Sequence, residues 1–504
     1  MTTAAGFSNR RLRRVFSGVT GALVIFLAVI ATSPAYAVFA GWSTPVNLSV
    51  SGRDAVDPQV AVDDSGNAVA VWRRFDGSNT VIQSSRLTAG GVGWSTPVDL
   101  SVAGEDADLQ QVSMDGSGNA VAVWQRFDGS NTVIQSSRLA AGGVNWSTPE
   151  NLSLPGQYAY NPHVAVDGSG NAVAIWQRYD GDHYVIQSSG SSDSGMSWST
   201  PETLSASDQS ADNPRVAIID SGIAVAVWWQ AAELGNQIVQ SSRSTDGGIT
   251  WLSPVGLSAS DQHAIEPQVG LDASGNAVVV WRRSNGSNNI VQSSRSADGG
   301  VSWSTPVNLS ASGQDADHPQ VAVDGSGNAV AVWHRENGSN TIVQSSRSAD
   351  VGVSWTTPVN LSVSGRSALY PQVAVYGSGN AVAVWYRFDG RNNIVQSSGS
   401  SDGGASWSTP VNLSASGQFA ENPQVAVGGS GNAVAVWHRG PPNNNIVQSS
   451  FSGASNGGGG GEELANTGPG VSVNDATLVA SAGLLALGLL TRVFMRRRGV
   501  ADLR

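Results

Sequence analysis

The chain is 504 residues long with a formal net charge of −11, 60 glycines, 13% charged residues and no cysteine. The lack of cysteine excludes disulfides, thiolate metal sites and cysteine nucleophiles, and an acidic surface repels phosphate backbones, which argues against a nucleic-acid partner. A glycine-rich, charge-poor balance favours β structure with many tight turns over long amphipathic helices.

Every basic residue is arginine. Arg10, Arg11, Arg13 and Arg14 precede an apolar stretch over residues 19–30, and Ala35-Tyr36-Ala37 supplies a small-x-small cleavage site. This order predicts an export signal over residues 1–37, cleaved after Ala37. The apolar core is about a dozen residues, short of the ~20 that a retained transmembrane helix needs. The Arg13-Arg14 pair leaves general and twin-arginine export both open.

Self-similarity governs the long middle of the chain. Trp42, Trp94, Trp146, Trp198, Trp251, Trp303, Trp355 and Trp407 each open a Trp-x-x-Pro segment at a spacing of 52 residues, or 53 between Trp198 and Trp251. A second series, Trp72, Trp124, Trp176, Trp228, Trp281, Trp333, Trp385 and Trp437, runs in phase with it. In one unit, residues 319–324 alternate, Asp324-Gly325-Ser326-Gly327-Asn328 reads as a turn, and 329–335 is a nearly continuous apolar strand. Residues 336–340 turn again, 341–348 form a third strand, 350–354 a third turn and 355–362 a fourth strand. Glycine and asparagine at the turns supply the positive φ that hairpins demand. Four antiparallel strands per unit, apolar on both faces, predict an all-β, eight-bladed propeller over residues 38–451. The chain enters with a fourth strand and leaves after a third, so the first strand can complete the last blade. An open β solenoid is the alternative.

The third turn reads Ser-x-Asp-x-Gly-x-[Ser/Thr]-Trp five times, on Asp193 and Trp198, Asp246 and Trp251, Asp298 and Trp303, Asp350 and Trp355, and Asp402 and Trp407. This resembles the Asp-box, or BNR repeat, of bacterial neuraminidases and related propellers, and the resemblance implies a turn between the third and fourth strands of a blade. The aspartate is expected to accept backbone N–H groups of its own turn, a structural role. No unit clusters the five or more oxygen ligands that a calcium loop needs, so neither a metal nor a cofactor is expected.

For sialidases of this family the resemblance implies an arginine triad, a tyrosine nucleophile with its glutamate, an aspartate acid/base and an Arg-Ile-Pro motif; no Arg-Ile-Pro is present. A catalytic site also needs groups that differ between blades, and near-identical blades predict that the chain is not an enzyme. An arginine recurs two residues after the second-series tryptophan, as at Arg74, Arg126 and Arg178. It predicts either a ring of ion pairs with acids such as Asp57, Glu266, Asp317 and Glu421, or an arginine-lined mouth for anionic sugars. Departures from the repeat gather in the third and fourth units: Tyr158, Tyr160, His163, Tyr179, His183, Tyr184, Trp229 and Glu233. Aromatic faces beside hydrogen-bonding groups suit sugar rings. Arg178, Tyr179, His183, Tyr184 and Trp229 are the candidate ligand-binding residues.

After the repeats come a Gly-rich linker (452–463), Leu464-Ala465-Asn466-Thr467-Gly468, an apolar segment (476–495) and a basic tail (496–504) holding Arg496, Arg497 and Arg498. The apolar segment predicts a membrane span with the arginines on the cytoplasmic side. The arrangement resembles the LPxTG-type sorting signal of Gram-positive surface proteins, in its Leu-Ala-x-Thr-Gly form. That resemblance implies cleavage between Thr467 and Gly468 by a sortase and transfer to peptidoglycan; a plain membrane anchor is the alternative. The functional expectation is a wall-anchored propeller displaying a binding or adhesion surface for a glycan or wall polymer. A sialidase-like glycoside-active enzyme and a passive surface-layer component are its rivals.

Overall fold

A computed structural model describes residues 41–453 apart from 90–92, 233–234, 378 and 442. The expected export signal, sorting motif, membrane segment and basic tail lie outside the described residues, as does Glu233.

The repeats form eight four-stranded antiparallel sheets, the blades of a propeller. Blades 1 to 8 open with the strands Ala55–Val62, Ala107–Met114, Ala159–Val166, Ala211–Ile218, Ala264–Leu271, Ala316–Val323, Ala368–Tyr376 and Ala420–Val427. In blade 6 the remaining strands are Ala329–Glu336, Thr341–Ser348 and Val359–Asn360. Each first strand touches the first strands of both neighbouring blades, and that of blade 8 touches that of blade 1. The first strands therefore form the closed inner ring, and the solenoid alternative fails. Ring closure uses the chain start: Val46–Asn47 pairs with Ile446–Ser452 in the register Val46↔Ser449 and Asn47↔Gln448, completing blade 8.

The core lies between blades. Each second strand carries Ala-Val-Ala-Val-Trp or a close variant and is buried on both faces. Trp281, for example, packs on Val225, Val227, Val239 and Leu257 of the preceding blade, while Val227 and its counterparts pack forward. At the seam, Leu48, Val60 and Trp72 meet Val434, Val436 and Val447 across the ends of the chain.

Two strand extents differ from expectation. The fourth strand is two residues long, Val359–Asn360 rather than 355–362; before Pro358 the chain stays on the third strand through irregular bonds, the Thr356 N–H donating to the Arg347 carbonyl at 2.9 Å and the Ser346 hydroxyl to the Thr356 carbonyl at 2.7 Å. The first strand starts earlier, at Ala316 rather than Pro319, and absorbs the proline in a bulge: its register with the second strand slips between Asp317 and Gln320.

Candidate functional site

The bulge builds the site. In all eight blades it holds one non-glycine residue in the left-handed region, at φ of 51–58°: Asp57, Leu109, Asn161, Asn213, Glu266, His318, Tyr370 and Asn422. Seven of these precede a proline, which disfavours the right-handed helical conformation for the residue before it. A side chain in this region costs free energy and persists only where its surroundings impose it. Because the bulge recurs in every blade it is architectural, but the side chains it carries differ from blade to blade.

The residue one past each buried tryptophan supplies the second set: Arg73, Gln125, Gln177, Trp229, Arg282, His334, Tyr386 and His438. It lies across the ladder from the residue that opens the bulge, as in Asp317↔His334 and Glu421↔His438. The two sets join neighbouring blades around the inner ring. Asn422 Nδ2 donates to Asp57 Oδ1 at 2.9 Å, and Asn161 Nδ2 donates to Asp212 Oδ1 at 3.1 Å.

The densest chemistry lies on blades 5 to 7. Arg282 holds two carboxylates, Glu266 Oε1 at 3.5 Å and Asp317 Oδ1 at 3.3 Å, with all three side chains 22–26% exposed and so open to a ligand. Asn289 Nδ2 donates to Asp317 Oδ1 at 2.9 Å, and the His318 N–H donates to Glu266 Oε2 at 3.3 Å. The His318 ring stacks on His334 at 4.8 Å and meets Tyr370 edge-on at 4.5 Å, and Tyr370 lies 5.5 Å from Tyr386. The Tyr370 N–H donates to His334 Nδ1 at 3.4 Å, so that nitrogen carries no proton.

Burial sets the protonation of this cluster. It raises the Asp317 carboxyl above its ordinary range, against the pull of Arg282. Burial lowers His334 to about 3, with His318 and Arg282 adding to the shift, and it lowers His318 against the opposing fields of Glu266 and Asp317. Both imidazoles are therefore neutral at physiological pH beside a carboxyl that holds its proton more tightly than usual. Elsewhere on the inner strands, burial raises Asp108 and Asp212. It lowers Arg215 to about 10 and pushes His163 and His438 down.

The structure also places the residues singled out from sequence. Tyr179 and Tyr184 approach to 5.2 Å, Tyr184 lies 6.2 Å from Tyr160, and Tyr160 stacks on Tyr158 at 6.2 Å. The Tyr179 hydroxyl donates to the Gly181 carbonyl at 2.6 Å. His183 sits in the turn, its N–H donating to Asp180 Oδ1 at 2.9 Å. Arg178 is half-buried, paired in register with Val185 and Ala159. Trp229 belongs to the next blade, opposite Asp212. In the Asp-boxes the carboxylates are occupied by their own turns. Asp298 accepts from the Val301 and Ser302 N–H groups at 3.1 and 2.9 Å and from the Ser302 hydroxyl at 2.5 Å. Burial alone would raise its pKa, but these bonds and that from Ser296 outweigh it and hold the group at about 2. Leu464, Ala465, Asn466, Thr467 and Gly468 lie outside the described residues.

The ion-pair ring is not built as anticipated. Asp57 pairs with Arg73, and Glu266 and Asp317 pair with Arg282, which stand one residue past the tryptophan rather than two. Among the described residues, Arg126 alone of the recurring arginines is in an ion pair, with Glu105 of the loop entering its own blade. The reason is strand alternation: the recurring arginine shares the tryptophan's face, and the residue before it faces the next blade.

The rim residues could have been found in the sequence. Between the recurring alanine and proline, and again between the recurring tryptophan and arginine, stand the positions that change most sharply from unit to unit.

Residues 118–380 match the family model of the BNR repeat-like domain. No curated protein matches the chain. Among solved structures it is similar to an ulvan lyase of a polysaccharide lyase family, with 10% identity over 69% of this chain and 92% of that one at a TM-score of 0.43. It is also similar to the intramolecular trans-sialidase of Ruminococcus gnavus, with 13% identity over 67% and 92% at a TM-score of 0.38. A third is an α-L-arabinofuranosidase of Fusarium graminearum, with 9% identity over 69% and 93% at a TM-score of 0.40.

The expectation that the chain is not an enzyme is corrected. Its premise of near-identical blades fails at the inner rim, where acid, base and aromatic groups differ from blade to blade. With residues 118–380, more than half of the sequence, matched by its model, the chain belongs to the BNR repeat-like domain family.

Proposed function

We propose that the protein is a carbohydrate-active enzyme that cleaves a glycosidic linkage at the inner rim of blades 5 to 7. The observation that carries this reading is the pair Asp317 and Glu266 on one arginine, with the Asp317 carboxyl raised by burial. Glycosidic cleavage needs a proton for the leaving oxygen and a second carboxyl for the developing positive charge or the attacking water. Asp317 fits the first role because burial makes it hold its proton more tightly than an ordinary carboxyl does. Glu266 fits the second, fixed by Arg282 and the His318 N–H. The neutral rings of His318 and His334, with Tyr370 and Tyr386, offer faces for the sugar C–H groups beside that pair.

A screen of polysaccharides for newly released reducing ends tests the reading. Asp317→Asn and Glu266→Gln are expected to lose release, while Tyr158→Phe, outside the sector, retains it. Retained release in both rim variants overturns the assignment.

Export and wall attachment belong to the same proposal and rest on sequence order alone: basic run, apolar core and Ala35-Tyr36-Ala37 at one end, and Thr467-Gly468 before an apolar segment and arginines at the other. The partners in that scheme are a sortase, acting transiently, and peptidoglycan.

A further inference from the structure

A cavity lies outside the sector of blades 5 to 7, on the seam where the chain closes on itself. It encloses about 600 Å³ between the loop entering blade 1 (Gly52, Arg53, Asp54), the end of that blade's second strand (Arg73, Phe75) and Asn443 of blade 8. Blade 8 departs from the repeat here. Its sequence between second and third strands is Gly440-Pro441-Pro442-Asn443, with Pro442 outside the described residues, where blades 1 and 2 have Asp-Gly-Ser-Asn closed by Asp76 and Asp128.

Its chemistry is balanced. Phe75 is 42% exposed, as are its repeat counterparts Phe127 and Phe388 at 43% and 41%, but here the aromatic face borders the cavity. Arg73 keeps a third of its side chain exposed while pairing with Asp57 at 3.1 Å, and Arg53 is exposed. Asp54 uses Oδ1 for both of its hydrogen bonds, from the Asn445 N–H and Nδ2 at 2.9 Å each. Two guanidinium groups are matched by the carboxylates of Asp54 and Asp57, so the site carries no excess positive charge for an acidic ligand. Planar donors and an acceptor around an exposed ring are what an uncharged pyranose requires, its C–H face on the ring and its hydroxyls on the polar groups.

We propose that this seam cavity is an accessory carbohydrate site for a neutral hexose or pentose unit, stacked on Phe75 and hydrogen-bonded by Arg53 and Arg73. The choice of a sugar over another uncharged ligand rests on the carbohydrate reading of the rim. The site spans both ends of the propeller, so occupancy also holds the ring shut and raises the melting temperature, since the ligand binds the folded state alone.

Calorimetric titration of the full chain with neutral oligosaccharides (cello-, xylo-, manno- and galacto-hexaose) tests this, run beside reducing-end release. At least one is expected to bind and raise the melt, with affinity falling tenfold or more in Phe75→Ala and in Arg53→Ala. Phe75→Tyr and Phe127→Ala, the same repeat position in blade 2, bind as the unmodified chain does. Asp317→Asn binds normally and does not turn over, which separates this site from the rim. Absence of binding by all four sugars, or equal binding by Phe75→Ala and Phe127→Ala, overturns the proposal. Release without seam binding would leave the rim reading standing; seam binding without release would do the reverse.

Discussion

His318 and Tyr370 occupy the same position in consecutive blades, and their rings meet edge-on at 4.5 Å and 77°. Each is held at positive φ by the same bulge. One repeat of chain thus turns into one contact across the inner ring, and residues that differ between units become neighbours. If this contact forms a sugar platform, Tyr370→Ala removes a stacking face without touching the carboxyl pair. The expected outcome is a rise in KM of about tenfold, in line with the ~0.5–1.5 kcal/mol of an aromatic contact, with a smaller fall in kcat. Steady-state kinetics on the substrate found in the screen checks it.

The imidazoles set a pH dependence of stability. His334 is lowered from 6.5 to about 3 by burial, so its neutral form is favoured in the folded state. Its contribution is fully present above about 6.5 and is lost as pH falls toward about 3. His163, His318 and His438 are shifted in the same direction, each mainly by burial. Melting temperature is expected to fall steadily on acidification through this range, and His334→Gln should make the fall shallower. A melt that is flat from neutral to acid in the unmodified chain contradicts the assignment.

Trp281 is fully buried between blades 4 and 5. Trp281→Ala leaves a cavity lined by both blades and is expected to destabilise by about 3–5 kcal/mol, measured by denaturant unfolding.

How the ring closes gives a further test. Val46 and Asn47 complete blade 8, the Ser43 N–H donates to the Phe451 carbonyl at 2.8 Å, and the Val447 N–H donates to Ser49 Oγ at 2.8 Å. Deleting residues 42–49 exposes the edge of Ile446–Ser452 with unpaired backbone groups. A lower melting temperature and concentration-dependent association are expected, read by light scattering alongside the melt.

The propeller is legible in the sequence because its signals are local and repeated. The tryptophan spacing sets the blade count, glycine-bearing turns set the strand breaks, and Val46–Asn47 is recognisable as a fourth strand without a blade. The rim is harder to read, for a geometric reason. Asp317 lies in the loop before the expected strand, and only the bulge places it opposite His334, where Arg282 of the preceding blade can reach it. The arginine that repeats, Arg178 and its counterparts, is the conspicuous one, whereas the chemistry sits on the neighbouring position, where Arg282, His334 and Tyr386 replace one another. Repetition marks the scaffold and variation marks the site.

Delivery of a proton from Asp317 to a glycosidic oxygen is tested by parallel measurement of reducing-end release by the unmodified chain and by Asp317→Asn. Release from at least one polysaccharide by the unmodified chain is expected, with a loss of about 100-fold or more in the variant, the scale of a missing general acid, and a melting temperature nearly unchanged. Equal rates in the two chains, or no release from any polysaccharide, would contradict it.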